Sequence, residues 1–259
     1  MAQKQPAAAV PQALREFFAG HPRLALAFSG GTDSSYLLYA ALACGCDVTA
    51  YYARSAFQPE FERADARRLA EQLGARLREI ELDVLADETV RRNPADRCYH
   101  CKRRIFSALL ERAAADGRDV VIDGTNASDD AGDRPGMRAL RELLVLSPLR
   151  LCGITKAQVR EYSREAGLFT WDKPAYACLA TRVPAGMPIT AELLGRVEAS
   201  EAALFALGFT DFRVRVYGGA ARLQFPAAQL ARAVERRADI RAALRPFFDI
   251  LLLDLEDRG

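Results

Sequence analysis

Histidine is almost missing from this chain: of 259 residues only His21 and His100 are histidines, and the first lies in the leader ahead of the core. A conventional zinc ribbon would have to be completed by isolated cysteines. Long apolar runs are missing too. No stretch approaches the roughly 20 residues that span a bilayer, and the opening MAQKQPAAAVPQ lacks the apolar centre of a signal peptide. A cytoplasmic protein with no membrane partner is therefore expected. Neither sign of charge dominates, with 36 basic residues against 34 acidic ones and a net charge of +2, so charge alone asks for no nucleic acid and a small anionic ligand is enough. There are no internal repeats, and the low-complexity sequence is confined to the Ala-rich amino terminus. A hydrophobic content of 50% over 259 residues suffices for two cores, and the change of pattern along the chain divides it into domains at 12–172 and 173–259.

A lysine is also missing where a phosphate loop usually carries one. Leu24 to Leu38 reads LALAFSGGTDSSYLL: a short apolar strand, a glycine turn and the start of a helix. Gly30 and Gly31 let backbone approach an anion, the amides at the helix start point at it, and Ser29, Ser34 and Ser35 add hydroxyls. Without GxxxxGK[ST] this is not an ordinary kinase or GTPase loop. The form SGGxDS resembles the signature of the PP-loop ATP pyrophosphatases, which cleave ATP between its α and β phosphates and adenylate a substrate.

Around that loop the elements alternate. VTAYYAR reads as a second strand, Glu60 to Leu73 as a charged helix ending near Gly74, ARLREIELD as a third strand, and Val120 to Asp123 as a fourth. Such βαβ alternation implies an α/β fold with a doubly wound parallel sheet and ligand at the carboxyl ends of its strands. Asp123, Gly124 and Asn126 open a second ligand-facing loop where the fourth strand stops. Between the third and fourth strands a loop carries Cys98 and Cys101, followed by a helix. Ser147 to Gly167 reads as a short strand or turn and a helix beginning near Thr155. Beyond Ile189 a small α+β module is expected, with a helix at Ala191–Leu207, two strands around Gly218-Gly219, a helix from about Ala227 to Arg237, and a final strand in FFDILLLDLE.

Six cysteines in such a chain argue for metal or sulfur chemistry rather than a disulfide framework. Cys98 and Cys101 form a CxxC, whose thiolates can reach one metal, a cluster iron, or each other. Cys178 lies in KPAYACLATR, five residues after Lys173 and four before Arg182, neighbours that would favour a thiolate if they face it; a small buried residue is the other reading. Cys44, Cys46 and Cys152 read as structural. Arg213 and Arg215 alternate onto one face of a strand, a phosphate clamp or a solvated face, with Glu201 placed to orient one of them or to touch substrate.

Taken in order, SGGTDSS, NPADRCYHCK, DGTNASDDAGDRPG, SPL and KPAYACLATRVPAG resemble the LarE family, ATP-dependent sulfur transferases that build the nickel-pincer nucleotide of lactate racemase. The resemblance implies a small nucleotide substrate, pyridinium-3,5-biscarboxylic acid mononucleotide, and a homo-oligomer is expected. It implies ATP and Mg2+ held by Ser29, Gly30, Gly31, Asp33, Ser34, Ser35, Asp123, Gly124 and Asn126. It implies a sulfur role for Cys178 and a nucleotide phosphate on Arg213 and Arg215; from the parts themselves, catalysis by Asp33 and Arg182 as well is expected, the latter on the developing oxyanion. In one branch the cysteine matching Cys178 is sacrificed to dehydroalanine; in another, Cys98, Cys101 and Cys178 match the ligands of a [4Fe-4S] cluster, the branch that the three cysteines favour. Gln224, where an acid is expected, and Tyr217, where histidine is common, depart from the pattern. A tRNA-thiolating PP-loop enzyme and a nucleotide sensor without turnover are the alternatives.

Overall fold

The computed structural model describes residues 10–129 and 135–257; 130–134, within the polar loop that follows the fourth strand, lie outside them. The chain divides into two compact units, Met1–Val84 with Asp96–Tyr176, and Leu85–Ala95 with Ala177–Gly259. The division falls after Tyr176 rather than after 172, and the second unit includes a segment lying early in the chain.

In chain order the first unit holds α1 (Gln12–Gly20), β1 (Arg23–Ala27), α2 (Thr32–Ala43), β2 (Asp47–Arg54), α3 (Glu60–Leu73) and β3 (Arg76–Glu81). After α4 (Glu88–Arg92), which belongs to the second unit, it resumes with α5 (Arg97–Ala115), β4 (Val121–Ile122), α6 (Pro135–Glu142), α7 (Pro148–Leu151) and α8 (Lys156–Glu165). The strands make one parallel sheet in the order β3-β2-β1-β4. Side-chain alternation sends Leu24 and Leu26 of β1 into a core with Leu37 and Leu38 of α2 and Val159 of α8. Ala25 packs on the opposite face, with Tyr51 and Val121 against Phe106 and Leu109 of α5. Both faces are covered, which is the doubly wound arrangement. Nine of the twelve residues of α2 are buried, so its amino-terminal end is fixed relative to the sheet.

Two local readings change. Cys98 and Cys101 lie in the first turns of α5, not in a loop ahead of it. Leu146 makes a single bridge to Ile122, after which Ser147 takes the N-cap position without a side-chain cap and Pro148 opens the short helix α7.

The second unit continues with a 3-10 turn at Leu179–Arg182, α9 (Ala191–Ala206), β5 (Arg213–Tyr217), β6 (Ala220–Gln224), α10 (Ala227–Glu235), α11 (Arg237–Leu244) and β7 (Leu251–Leu253). β5 and β6 form an antiparallel hairpin pairing Arg213 with Gln224, and β7 adds parallel to β6. A parallel addition needs a crossover, which α10 and α11 supply. The helix expected from Ala227 to Arg237 is α10, and a second helix that was not expected, α11, follows it after the chain turns at Arg236, whose guanidinium binds the Leu207 carbonyl at 2.8 Å and Asp239 at 2.9 Å. The final strand is short because Phe248 is buried ahead of it, its amide bonded to Leu244 O at 3.0 Å. Asn93, in the left-handed region at φ 56° and buried, joins the early segment to the rest of the unit. Its Nδ2 donates to Pro184 O at 2.7 Å and Met187 O at 3.1 Å, and its carbonyl accepts from Gly186 N at 2.7 Å.

Candidate active site

From β1 the chain winds outward to β2 and β3, whereas β4 joins the other side of β1. The loops after β1 and β4 therefore flank the point where strand order reverses, the place where open α/β sheets bind ligands. Gly30 takes φ 72°, and a Cβ there would sit 3.1 Å from that of Ala66. Ser29 Oγ and Ser34 Oγ lie 3.1 Å apart, and Ser34 Oγ donates to Gly31 O at 3.2 Å, closing the turn on itself. Gly31 is the N-cap of α2 and has no side chain to cap it, which leaves the positive end of the helix facing the loop's ligand side. Gly124 lies against that first turn so closely that a Cβ would come within 2.9 Å of Ser34 N.

These segments wall a cavity of about 570 Å³, shared by Ser29, Gly31, Asp33 and Ser34 with Asp123, Gly124, Thr125 and Asp129, and by Cys98 and Lys102 of α5. Ser35, expected as a second hydroxyl donor beside Ser34, is buried with its Oγ lacking a hydrogen-bond partner.

The two expected carboxylates differ. Asp123 is 7% exposed; its Oδ1 accepts from Ser147 Oγ at 2.6 Å and its Oδ2 from Thr125 Oγ1 at 2.5 Å, so it orders the loop after β4. Asp33 accepts Asn126 Nδ2 at 3.2 Å on one oxygen and Lys156 Nζ at 2.6 Å on the other. Lys156 escaped the sequence reading. Its signal was there: Thr155 and Gln158 form a capping box that starts α8, placing a lysine in a first turn where the helix dipole opposes it.

All six cysteines are thiols. Cys98 is exposed, with Arg97 Nη2 donating to its sulfur at 3.8 Å, and Cys101 is buried one turn on. Burial pushes the Cys46 thiol up to about 11 and raises those of Cys44 and Cys152 as well. Lys173, expected to act on Cys178, pairs with Asp65 at 2.7 Å and lies 3.5 Å from the Gly30 carbonyl.

In the second unit, Cys178 opens the 3-10 turn, its carbonyl accepting from Thr181 Oγ1 at 2.8 Å. Arg182 is 1% exposed and points its guanidinium inward: Nε and Nη2 bind Glu201 at 2.9 and 3.3 Å, and Nη1 binds Ala177 O at 2.9 Å. Glu201 Oε1 also accepts Val214 N at 2.9 Å. The arginine expected to meet an oxyanion thus ties the cysteine's turn to α9 and β5 through Glu201, whose charge also acts on Arg215. Arg213 is buried and donates to Phe212 O at 2.6 Å. Arg215, partly exposed, donates to Thr181 O at 2.9 Å and to Gln224, which in turn donates to Asp254 Oδ2 at 2.7 Å. The acid sought at Gln224 is thereby reached one bond further on. Burial, with Arg182 and Arg222 nearby, holds the Arg215 guanidinium below its ordinary range.

Among the described residues no three His, Cys, Asp or Glu side chains gather to hold a metal ion. Among them no helix is long and apolar enough to cross a membrane.

No family model matches the chain. It is 37% identical over 223 residues to an uncharacterised protein of Synechocystis, a span covering 86% of this chain and 83% of that one. It is 37% identical over 210 residues to the pyridinium-3,5-bisthiocarboxylic acid mononucleotide synthase of Lactiplantibacillus plantarum, covering 80% of this chain and 76% of the synthase. A shorter similarity, 33% over 188 residues and 53% of the partner's length, links it to the tRNA-specific 2-thiouridylase MnmA of Frankia alni. The α/β fold with its glycine loop at the strand-order switch, together with these similarities, makes the chain an ATP-dependent sulfurtransferase of the PP-loop class. Within that class the chain belongs to the LarE family, that of the Lactiplantibacillus synthase.

Proposed function

We propose that this enzyme uses ATP to adenylate carboxylates of pyridinium-3,5-biscarboxylic acid mononucleotide and converts them to thiocarboxylates in the cytoplasm, for nickel-pincer cofactor synthesis. The observation that carries the reading is the glycine loop on the uncapped amino terminus of α2, opening on a cavity of about 570 Å³, together with the similarity to a synthase whose name is that of the bisthiocarboxylated nucleotide. Backbone amides and the Ser29 and Ser34 hydroxyls bind phosphate oxygens where charge develops as pyrophosphate leaves. Mg2+ prefers one or two carboxylates and otherwise phosphate oxygens and water. Asp33 and Asp129, both on the cavity wall, fit that need and would hold it, and the ion would supply charge neutralisation.

Adenylation joins a substrate carboxylate oxygen to the α phosphorus and releases pyrophosphate, making AMP the leaving group. The Cys178 sulfur then bonds to the acyl carbon as AMP departs, giving a thioester. The thiocarboxylate is released when the Cβ–S bond breaks with loss of the Cα proton, leaving dehydroalanine. Arg213 and Arg215 hold the nucleotide phosphate. The other donor, which the three cysteines of the sequence favour, is a [4Fe-4S] cluster that Cys98, Cys101 and Cys178 would hold, supplying a sulfide in place of the Cys178 sulfur; no step is derived through it.

The test follows AMP, pyrophosphate and thiocarboxylate with ATP, Mg2+ and the biscarboxylated nucleotide. Cys178→Ala is expected to keep pyrophosphate release and to lose thiocarboxylate by about a thousandfold or more, as loss of a nucleophile does. Thiocarboxylate formation at the parent rate would remove Cys178 from the reaction, and absence of substrate-dependent pyrophosphate from the parent enzyme would remove the adenylation.

A further inference from the structure

The phosphate loop presents a charge problem. Ser29 to Ser35 contains one formal charge, the carboxylate of Asp33, and it stands in the first turn of α2, on the cavity wall. Helix ends contribute about half a positive charge, too little to offset both this carboxylate and a bound polyphosphate. A compensating cation comes from elsewhere: Lys156, 123 residues along the chain, places its Nζ 2.6 Å from Asp33 Oδ2.

Three independent features mark this placement as more than a chance surface pair. Lys156 is in the first turn of α8, where a cation is disfavoured by the dipole, and the capping box of Thr155 and Gln158 fixes that turn. Its backbone amide donates to Ser128 Oγ at 3.0 Å, tying the lysine's own backbone to the loop after β4. The same loop supplies Asn126, whose Nδ2 holds the other oxygen of Asp33 at 3.2 Å. Both partners are accessible, with a third of the Lys156 side chain and a quarter of the Asp33 side chain exposed, so the ammonium has room to change partner without uncovering a core.

We propose that Lys156 is a phosphate-binding residue of this enzyme. In the nucleotide-free chain its ammonium neutralises Asp33; when a nucleoside triphosphate enters, the ammonium passes to a β or γ phosphate oxygen and Asp33 is released to face the accompanying divalent cation. The assignment to the β and γ phosphates follows from where charge grows during adenylation, on the departing pyrophosphate, which is where a mobile cation contributes most to rate. Lys156 is thus the lysine that the loop sequence lacks, delivered by a helix distant in sequence. The inference rests on the proposed use of ATP.

Binding of Mg2+ with pyrophosphate, ATP and AMP is compared by titration calorimetry for the full-length parent, Lys156→Gln and Lys156→Arg. Lys156→Gln is expected to weaken pyrophosphate and ATP about 10- to 100-fold, the range of a charge-assisted hydrogen bond, and to leave AMP within about twofold; Lys156→Arg is expected to recover most of the loss. In turnover, the KM for ATP should rise and the rate of pyrophosphate release at saturation should fall. Equal weakening of AMP and pyrophosphate would overturn the proposal in favour of a lysine that only shapes the loop, and unchanged binding of all three would overturn it outright. A parent enzyme that binds neither ATP nor pyrophosphate would remove the ATP reading itself, and this inference with it, a result seen before any variant is made.

Discussion

The loop after β1 and the arginine set around β5 both gather polar groups in folded surroundings, and they use them in opposite ways. In the loop, Ser29, Ser34 and Asp33 keep a side toward a cavity, and the groups behind them do the fixing: Gly124 against the first turn of α2, Asp123 on Ser147 and Thr125. Around β5 the guanidinium of Arg182 is turned wholly inward onto Glu201 and Ala177 O, and the neighbouring Arg215 keeps partial exposure. Exposure, not residue type, separates the arginine that ties the turn together from the one that keeps a side open. A buried guanidinium with matched acceptors has no donor to offer without unfolding its surroundings.

The largest expected effect sharpens that contrast. Glu201→Ala leaves Arg182 buried without its carboxylate and Val214 N without its acceptor, and unfolding should move by about 3–5 kcal/mol. Urea denaturation checks it; replacing Arg182→Met and Glu201→Leu together should restore much of the stability, because the charges then vanish as a pair. A Glu201→Ala protein of parental stability would mean that the pair does not anchor the unit. Gly124→Ala should weigh the other way, costing about 1–3 kcal/mol of stability, less than Glu201→Ala, while lowering substrate-dependent pyrophosphate release about 10- to 100-fold, since a Cβ 2.9 Å from Ser34 N forces the loop backbone to shift. Equal losses of stability and activity would break the comparison.

The smallest effect lies on the surface of the first unit. Arg67 and then Arg63 hold the Glu79 carboxyl below its usual range. The sign follows from linkage: the folded chain binds the proton less readily than the unfolded one, so this contribution is complete above the unfolded value near pH 4.3 and fades as pH falls through the lower folded value. With solvent screening it should amount to less than about 1 kcal/mol. Glu79→Gln should therefore shift the midpoint slightly at pH 7, and the difference should vanish well below pH 4.

The parts of this molecule that could be read ahead were the local ones. β1, the glycine turn and α2 are contiguous, and strand periodicity with two glycines specifies them. The parallel sheet follows because helices separate its strands. What escaped depends on partners far apart in sequence: Lys156 reaches Asp33 across 123 positions, and Arg182 meets Glu201 across 19. Cysteine spacing was legible while its setting was not, because CYHCKRR carries no turn residue to mark whether the helix starts before or after it. The end of α10 near Arg237 was legible, but the resumption of helix as α11 was not.

Asn93 has a consequence for how the chain is made. Its acceptors at Pro184 and Met187 are synthesised some ninety residues after it, at a ribosomal rate of about 5–20 residues per second. Through those seconds 85–95 has no unit to join, while the segments of the first unit on either side of it are already emerging. A protein cut after Tyr176 to isolate its carboxyl-terminal unit would lose this clasp, so the two units are separable in space but not by a single cut in the gene.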